Sequence, residues 1–189
     1  MDGVTMDGVT MDGVIDLKNP IELMRQVAEL YCQIFSEKPW HENFDTEQVL
    51  KTMTEHFNKP GAEALTFVEN RTPIGFAWMY EISGGDLKEG TRYPRALDFL
   101  FKDGKRVFYF QEVGVKEGSR RQGIGERLVR ELLRRAKERG ANFVILSTSR
   151  KATPIRSMIQ KIGFRDSGIT RPPPELDRTY WFFEFSRAF

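Results

Sequence analysis

The stretch from Val113 to Gly125 reads VGVKEGSRRQGIG, and it joins a predicted strand to the most regularly patterned helix of the chain. The strand is predicted over residues 107–115 and the helix over residues 123–139. Ile124, Leu128, Leu132, Leu133 and Ala136 form the apolar stripe of this helix. Gly123 and Gly125 begin the helix, so the backbone N–H groups of its first turn are unpaired and its dipole adds partial positive charge there.

Two arginines strengthen the indication that an anionic group binds at the start of this helix. Glycines let a phosphate come close to the backbone, and Arg120 and Arg121 add positive charge beside it. The spacing is not that of a P-loop, because no Gly-Lys-Ser/Thr follows, and the GxGxxG dinucleotide fingerprint is absent. The glycines alone could equally serve close packing of a helix on a sheet. Together with the arginines they predict a pyrophosphate cradle.

The same residues carry a family resemblance. Arg120 to Gly125, RRQGIG, resembles the Q/R-x-x-G-x-G/A motif of the GNAT superfamily of N-acetyltransferases. Glu112 to Val115 resembles the fourth strand of that family, and Lys161 to Phe164, KIGF, resembles its K-x-G-F signature. The strong part of the resemblance covers residues 107–164. The earlier helix pair, with the sequence Pro-Trp-His-Glu at residues 39–42, also fits.

The resemblance implies that acetyl-CoA is the cosubstrate. Backbone groups of Val113 and Val115 would pair with its pantetheine arm like an added strand. The N–H groups of residues 121–126 would hold its pyrophosphate, and an N–H near Val113 or Gly114 would stabilise the oxyanion of the tetrahedral intermediate. The implied cofactor-binding positions are Val113, Gly114, Val115, Arg120, Arg121, Gln122, Gly123, Ile124, Gly125 and Glu126.

The resemblance also implies direct transfer of the acetyl group to a primary amine. The amine must be neutral to attack, so a base is useful, and Glu112 is the first candidate. Glu112 could instead pair with Arg120 or lie on the polar face of its strand. Many family members protonate the leaving thiolate with a tyrosine, but the matching position here is Ile159. The alternative function is therefore a CoA-binding regulatory module with weak or no turnover.

The acceptor site is less defined by the sequence. Trp40 and Glu42 lie on a predicted loop. Thr148 lies at the end of a buried strand, beside the gap that the resemblance implies between the splayed strands of the sheet. These three residues are therefore candidate substrate contacts. The acceptor is expected to be a small-molecule or peptide amine. Its identity cannot be read from the residues.

The remaining pattern predicts the α/β fold of the family. The pattern itself indicates an α/β domain with a mixed sheet. The resemblance implies that this sheet is mostly antiparallel, has about six or seven strands, is splayed after the fourth strand and is flanked by about four helices. Helices are predicted over 20–35, 45–57, 123–139 and 153–162, with a short one over 96–101, and strands over 64–69, 74–82, 107–115, 142–148, 164–169 and 179–185. Residues 70–73 are predicted as a hairpin turn. Residues 1–15, a tandem MDGVT-like repeat, are expected to be an unpacked tail, and residues 16–189 one domain.

Composition bounds the remaining functions. The chain has 189 residues, of which 40% are hydrophobic and 30% charged, which is typical of a globular protein. A single cysteine, Cys32, and two histidines make no convincing metal site. The chain has no apolar run of membrane-spanning length and no basic region or apolar core typical of a signal peptide, so a cytoplasmic location is expected. The aromatic C-terminal strand would permit a homodimer.

Charge is distributed unevenly along the chain. Residues 116–139 hold nine basic and four acidic residues, a net +5, whereas the remaining 20 basic and 23 acidic residues give −3. This local positive field favours an anionic ligand at the segment. Nucleic-acid binding is the less favoured reading, because glutamates interrupt the arginines and the rest of the chain is acidic. Arg127, Arg130, Arg134 and Arg139 are expected to form a solvated helix face.

Overall fold

A single twisted sheet organises the chain. The computed structural model describes residues 13–17, 21–38, 40–85, 95–171 and 177–185. Seven strands are found there: β1 Gly13–Asp16, β2 Glu63–Glu69, β3 Thr72–Ile82, β4 Val107–Val115, β5 Phe143–Ser149, β6 Arg165–Thr170 and β7 Arg178–Glu184. Their order across the sheet is β1-β2-β3-β4-β5-β7-β6. All neighbours are antiparallel except β4 and β5, which confirms the predicted mixed, mostly antiparallel sheet.

Four α-helices are present in the described ranges: α1 Ile21–Ser36, α2 Thr46–Phe57, α3 Ile124–Glu138 and α4 Thr153–Ile162. Two 3₁₀ segments, Arg95–Gly104 and Glu117–Ser119, lie before and after β4. Asp45 caps α2 as its position predicts, with its side chain accepting a hydrogen bond of 3.0 Å from the Gln48 N–H. None of the helices in the described part of the chain is long and apolar enough to cross a bilayer.

The sheet separates two layers of helices. On one face, α3 and α4 pack against alternate strand residues such as Ala77 and Met79. On the other face, α1 and α2 cover Phe76 and Trp78, and the first 3₁₀ segment covers the neighbouring Tyr109. We call these the α3 face and the α1 face. Alternation of strand side chains then assigns each site residue on a strand to one face or the other.

Several sequence-based boundaries require correction. The tail prediction is wrong for residues 13–15, because β1 pairs antiparallel with β2 from Gly13 opposite Val68 to Asp16 opposite Leu65. The rest of the repeat, residues 1–12, lies outside the described residues. The turn of the first hairpin is only Asn70 and Arg71, both left-handed with φ of 49° and 63°, because residues 72 and 73 already belong to β3.

The arginines of α3 are largely bound to acidic side chains. Arg130 pairs with Glu126 within the helix, as expected for a solvated face. Arg139 departs from that expectation: with Arg135 it forms ion pairs to Glu63 of β2, whose side chain is only 6% exposed. A carboxylate this buried requires such partners. The two pairs therefore tie the C-terminal end of α3 to β2.

The close approach of β3 and β4 depends on Gly114. A Cβ atom on this residue would lie 2.5 Å from Cζ of Phe76, its cross-strand neighbour, and 3.1 Å from Cδ1 of Ile34. We therefore expect Gly114→Ala to lower the free energy of unfolding by about 1–3 kcal/mol, since overpacking shifts the surrounding residues. Urea unfolding measures this change. Gly118→Ala is the control, because no atom lies within 4 Å of the added Cβ. Equal effects of the two substitutions would contradict the assignment.

Candidate active site

A gap opens between the central strands. β4 and β5 pair over only three positions, from Val107 opposite Phe143 to Tyr109 opposite Ile145. Beyond them β4 stays paired with β3 as far as Val115, and β5 stays paired with β7 as far as Ser149. The C-terminal halves of two parallel strands therefore diverge, as the sequence predicts for a splay after the fourth strand. The gap between them opens at the sheet edge from which α3 begins.

The start of α3 presents a row of free backbone donors. The first amide that bonds into the helix is that of Arg127, which donates to the Gly123 carbonyl at 2.9 Å. Within the described ranges, no backbone hydrogen bond is donated by residues 121–126. Gly123 has φ of +81°, and a Cβ there would meet nothing within 4 Å, so open space lies beside these amides. Six donors at the positive end of a helix suit a phosphate group.

The two glycines of the motif have different roles. Gly125 is buried, and a Cβ atom on it would lie 3.3 Å from Sδ of Met158 on α4 and 3.6 Å from Cγ2 of Val115. Its missing side chain thus permits close packing of α3 on β4 and α4. Gly123 instead supplies the left-handed turn beside open space. Of the two readings that the sequence left open, close packing describes Gly125, whereas Gly123 packs against nothing within 4 Å and leaves room for a ligand.

The arginines before α3 are also distinct from each other. Arg120 donates to the Val115 carbonyl at 3.0 Å and forms a 2.6 Å ion pair with Glu37, just after α1. It therefore ties the loop to α1. Arg121 is exposed with φ of 63° and forms no ion pair with the described residues, so its charge is available beside the amides. Gln122 reaches back to the Gly118 carbonyl at 3.4 Å, while Glu126 pairs with Arg130 and Lys161.

A β-bulge directs Glu112 toward the α1 face. Trp78 pairs with Glu112 but the next residue of β3 pairs with Phe110, so Gln111 is an extra residue on β4. Glu112 consequently shares a face with its partner Trp78, which packs under α1. Gln111 accepts a 2.8 Å hydrogen bond from the Tyr80 hydroxyl and donates to Oε1 of Glu112 at 3.4 Å.

The environment of Glu112 favours proton transfer near neutrality. Desolvation raises the pKa of its carboxyl group to about 7, and the negative charge of Glu42 adds to this. The hydrogen bond from Gln111 and the positive charge of Arg178 act in the opposite direction. The alternative that Glu112 pairs with Arg120 is wrong, because Arg120 binds Glu37. A base with a pKa near the ambient pH can both accept and release a proton.

The α1 side of the site brings one predicted substrate residue close to Glu112. Tyr31 of α1 stacks on Phe76 and Trp78, and burial together with the charges of Glu112 and Glu42 raises the pKa of its hydroxyl group. Glu42 therefore lies within electrostatic range of both groups.

The two other predicted substrate residues are placed differently. Trp40 packs against Phe35, with ring centroids 6.0 Å apart. Thr148 is buried at the end of β5 and alternates onto the α3 face, away from Glu112. Thr148 therefore lies on the opposite face from Glu112, whereas Trp40 packs on α1.

Sequence reasoning missed the residues across the gap. The Tyr109 hydroxyl lies 3.2 Å from Oγ of Ser147, and Nη2 of Arg178 donates to the Ser147 carbonyl at 2.9 Å. No local motif marks these three positions, which come from β4, β5 and β7. Ile159, at the position of the family tyrosine, is a core residue with 1% exposure. The described residues contain no group of three acidic, histidine or cysteine side chains that could hold a metal ion.

Comparisons with known proteins agree with this geometry. A model of the acetyltransferase (GNAT) family matches residues 24–164. The search of curated proteins gives no match. Among solved structures, aminoglycoside 6'-acetyltransferase type Ii is 16% identical with a TM-score of 0.67, covering 93% of this chain and 99% of that one. The Salmonella typhimurium protein yncA, solved with acetyl-CoA, is 15% identical with a TM-score of 0.68, covering 95% and 97%.

A third similar structure is the ribosomal-protein-alanine N-acetyltransferase of Brucella melitensis. It is 16% identical, with a TM-score of 0.64, and the alignment covers 91% of this chain and 99% of that one. At such identities the likeness shows the fold and leaves the individual residues to be argued from this chain.

The raised pKa of Glu112 predicts a pH-dependent effect on stability. Folding favours its protonated form, so the wild type loses stability relative to Glu112→Gln as pH rises from about 4.5 through about 7. We expect Glu112→Gln to gain up to about 3 kcal/mol relative to the wild type between pH 4 and pH 8. Urea unfolding of both proteins at the two pH values tests this. A difference that does not change with pH would show that Glu112 is not desolvated in the folded chain.

Proposed function

The chain belongs to the acetyltransferase (GNAT) family, and we propose that it transfers an acetyl group from acetyl-CoA to a primary amine by direct attack. The observation that carries this proposal is the juxtaposition of the β4–β5 gap, the free amides of residues 121–126 and Glu112. The amides suit the pyrophosphate of the cosubstrate. The unpaired edge of β4 suits its pantetheine arm, which can bond to backbone groups as a strand does.

The proton inventory of the reaction assigns a role to Glu112. An alkylamine is protonated at neutral pH, with a pKa of about 10.4, so it must lose a proton before it attacks. Glu112 accepts that proton, directly or through water. The amine nitrogen then bonds to the thioester carbonyl carbon, and a backbone N–H near Val113 or Gly114 stabilises the resulting oxyanion. The nitrogen of the tetrahedral intermediate then loses its second proton to water, and the C–S bond breaks to give the neutral amide and the CoA thiolate.

Many relatives carry a tyrosine that protonates the leaving thiolate. The matching position here is Ile159, which is buried in the core. A thiol has a pKa of about 8.5, so protonation of the thiolate by water costs little near neutral pH. The isoleucine at this position is the observation that favours the second candidate, a CoA-binding module without turnover. Single-turnover transfer of the acetyl group separates the two candidates.

The acceptor class is a small-molecule or peptide amine. Similar structures include an aminoglycoside acetyltransferase, a ribosomal-protein-alanine N-acetyltransferase and Arabidopsis thaliana NAA60 with a bisubstrate analogue. The acceptors named for the first two are an aminoglycoside and an alanine of a ribosomal protein. The class of amine taken by this chain must therefore be argued from its own acceptor side.

Binding of acetyl-CoA is the first testable consequence. A ligand that binds only the folded protein adds about 2.7 kcal/mol at a hundredfold excess over Kd, which raises the melting temperature by several degrees. We expect acetyl-CoA and CoA to produce this shift in thermal unfolding, and Gly123→Glu to abolish it by placing a carboxylate among the phosphate-binding amides.

The matched control for that substitution is Gly104→Glu. Gly104 also has a left-handed φ, +68°, and a Cβ atom there would also meet nothing within 4 Å, so backbone strain is similar. The control should keep the acetyl-CoA shift. Loss of the shift in both variants, or no shift in the wild type at saturating ligand, would contradict the proposed cosubstrate site.

The pH dependence of transfer tests the base. With the best amine from a screen, kcat/KM should rise with pH through an apparent pKa of about 7, because Glu112 must be deprotonated to accept a proton. Glu112→Gln should lower kcat at least about 100-fold and remove this inflection, while the thermal shift with acetyl-CoA remains. An unchanged profile in the variant would assign the inflection to another group.

A further inference from the structure

Arg178 lies on the same side of the sheet as the proposed base. It stands opposite Ser149 on β5, and two residues later Tyr180 stands opposite Ser147. Tyr180 packs in one cluster with Tyr109 on the α1 face. Because strand side chains alternate, Arg178 extends from that face as well. Glu112 reaches the same face from β4, so the two side chains lie on one face of the sheet and on opposite sides of the gap, with β5 between β7 and the gap.

The guanidinium of Arg178 retains unused donor capacity. Nη2 donates to the Ser147 carbonyl at 2.9 Å, but Nε is buried and has no hydrogen-bond partner in the described part of the chain. Arg178 forms no ion pair with a described carboxylate. The neighbouring Asp177 accepts a 2.6 Å hydrogen bond from Oγ of Ser149. A buried charged donor without an acceptor is costly, so a bound group that supplies an acceptor is expected here.

Side chains of both charges act on the residues around the gap. The positive charge of Arg178 acts on Glu112, Tyr31 and Tyr109, so it lies within electrostatic range of all three. Arg171, whose N–H donates to the Arg178 carbonyl, adds positive charge near Tyr109. The negative charge of Glu42 also acts on Glu112 and opposes the effect of Arg178 on its pKa. An acceptor complementary to this arrangement carries both an amine and an anionic group.

We propose that Arg178 binds a carboxylate of the acceptor, so that the substrate is an amino carboxylate whose amine lies at Glu112. Arginine is well suited to this task, because its planar guanidinium can donate two hydrogen bonds to one carboxylate. The inference rests on the proposed function and narrows its acceptor class. It disfavours polycationic amines, since a second ammonium group would approach Arg178.

The test compares paired acceptors in the full-length protein. Glycine, serine, methionine, phenylalanine, glutamate and lysine are each assayed with acetyl-CoA beside their own carboxamides, with putrescine and kanamycin as polycations. Released CoA thiol gives the rate, and mass spectrometry identifies the acetylated product. At least one amino acid should exceed its carboxamide about tenfold or more in kcat/KM, because the carboxamide cannot form the charge-assisted pair.

Substitutions connect that preference to Arg178. Arg178→Met should raise KM for the preferred amino carboxylate about tenfold to a hundredfold and leave the carboxamide unaffected, which collapses the preference. Arg178→Lys should retain part of it, since the charge remains without the bidentate geometry. The matched control is Arg165→Met on β6, whose side chain is 61% exposed and pairs with Glu184. It removes an arginine without touching the gap.

A binding measurement separates this inference from the proposed function. Calorimetric titration of the same amino acids and carboxamides into the CoA complex requires no turnover. Transfer to carboxamides or polycations at rates equal to those for amino acids would overturn the role of Arg178 and leave the acetyltransferase intact. No binding preference for the carboxylates in the CoA complex would overturn it as well. Absence of acetyl-CoA binding would instead contradict the proposed function.

Discussion

The limited pairing of β4 with β5 is the constraint on which the site depends. Only three residue pairs join the two halves of the sheet directly, and each half is otherwise held by its own antiparallel partners. The unpaired strand edges beyond Tyr109 would be a liability at a sheet border, where they invite pairing with other chains. Inside the fold they form a gap that a ligand can enter. The helices of both layers keep this gap from closing or spreading.

Two residues of β4, Gly114 and Gln111, determine how this strand packs and where Glu112 points. Gly114 lets β4 lie against Phe76, and the extra residue Gln111 turns Glu112 to the α1 face. An unbulged strand would alternate differently and direct that carboxylate to the other layer. Desolvation then raises the pKa of Glu112, which makes the ionised form costly at neutral pH. The same desolvation that weakens the fold suits Glu112 to its proposed role as a base, because perturbed pKa values are common at active sites.

Sequence reasoning located the parts of the site that are contiguous in the chain. The glycine motif, the strand before it and the apolar stripe of α3 are local patterns, and α4 was predicted with the bounds that it has. β1 was missed because it is short and overlaps the repeat, and its partner strand β2 begins some 50 positions later. Arg120 was assigned to phosphate, but its partner Glu37 is 83 positions away. The role of Arg178 depends on three strands at once, so no local pattern could reveal it.

The unpaired donors support the proposal that the gap binds anionic ligands. A folded chain pairs nearly all its buried polar groups, so exceptions carry information about what is bound there. In the described residues, backbone amides 121–126 face open space on one side of the gap, and Nε of Arg178 lies unpaired on the other. Both sets are donors with positive potential. Neither the phosphate oxygens of a cosubstrate nor the carboxylate of an acceptor could satisfy both, since the two sets lie on separate elements. Under the proposed function, the two sets would bind two separate anionic groups, and the amine of the acceptor would lie at Glu112.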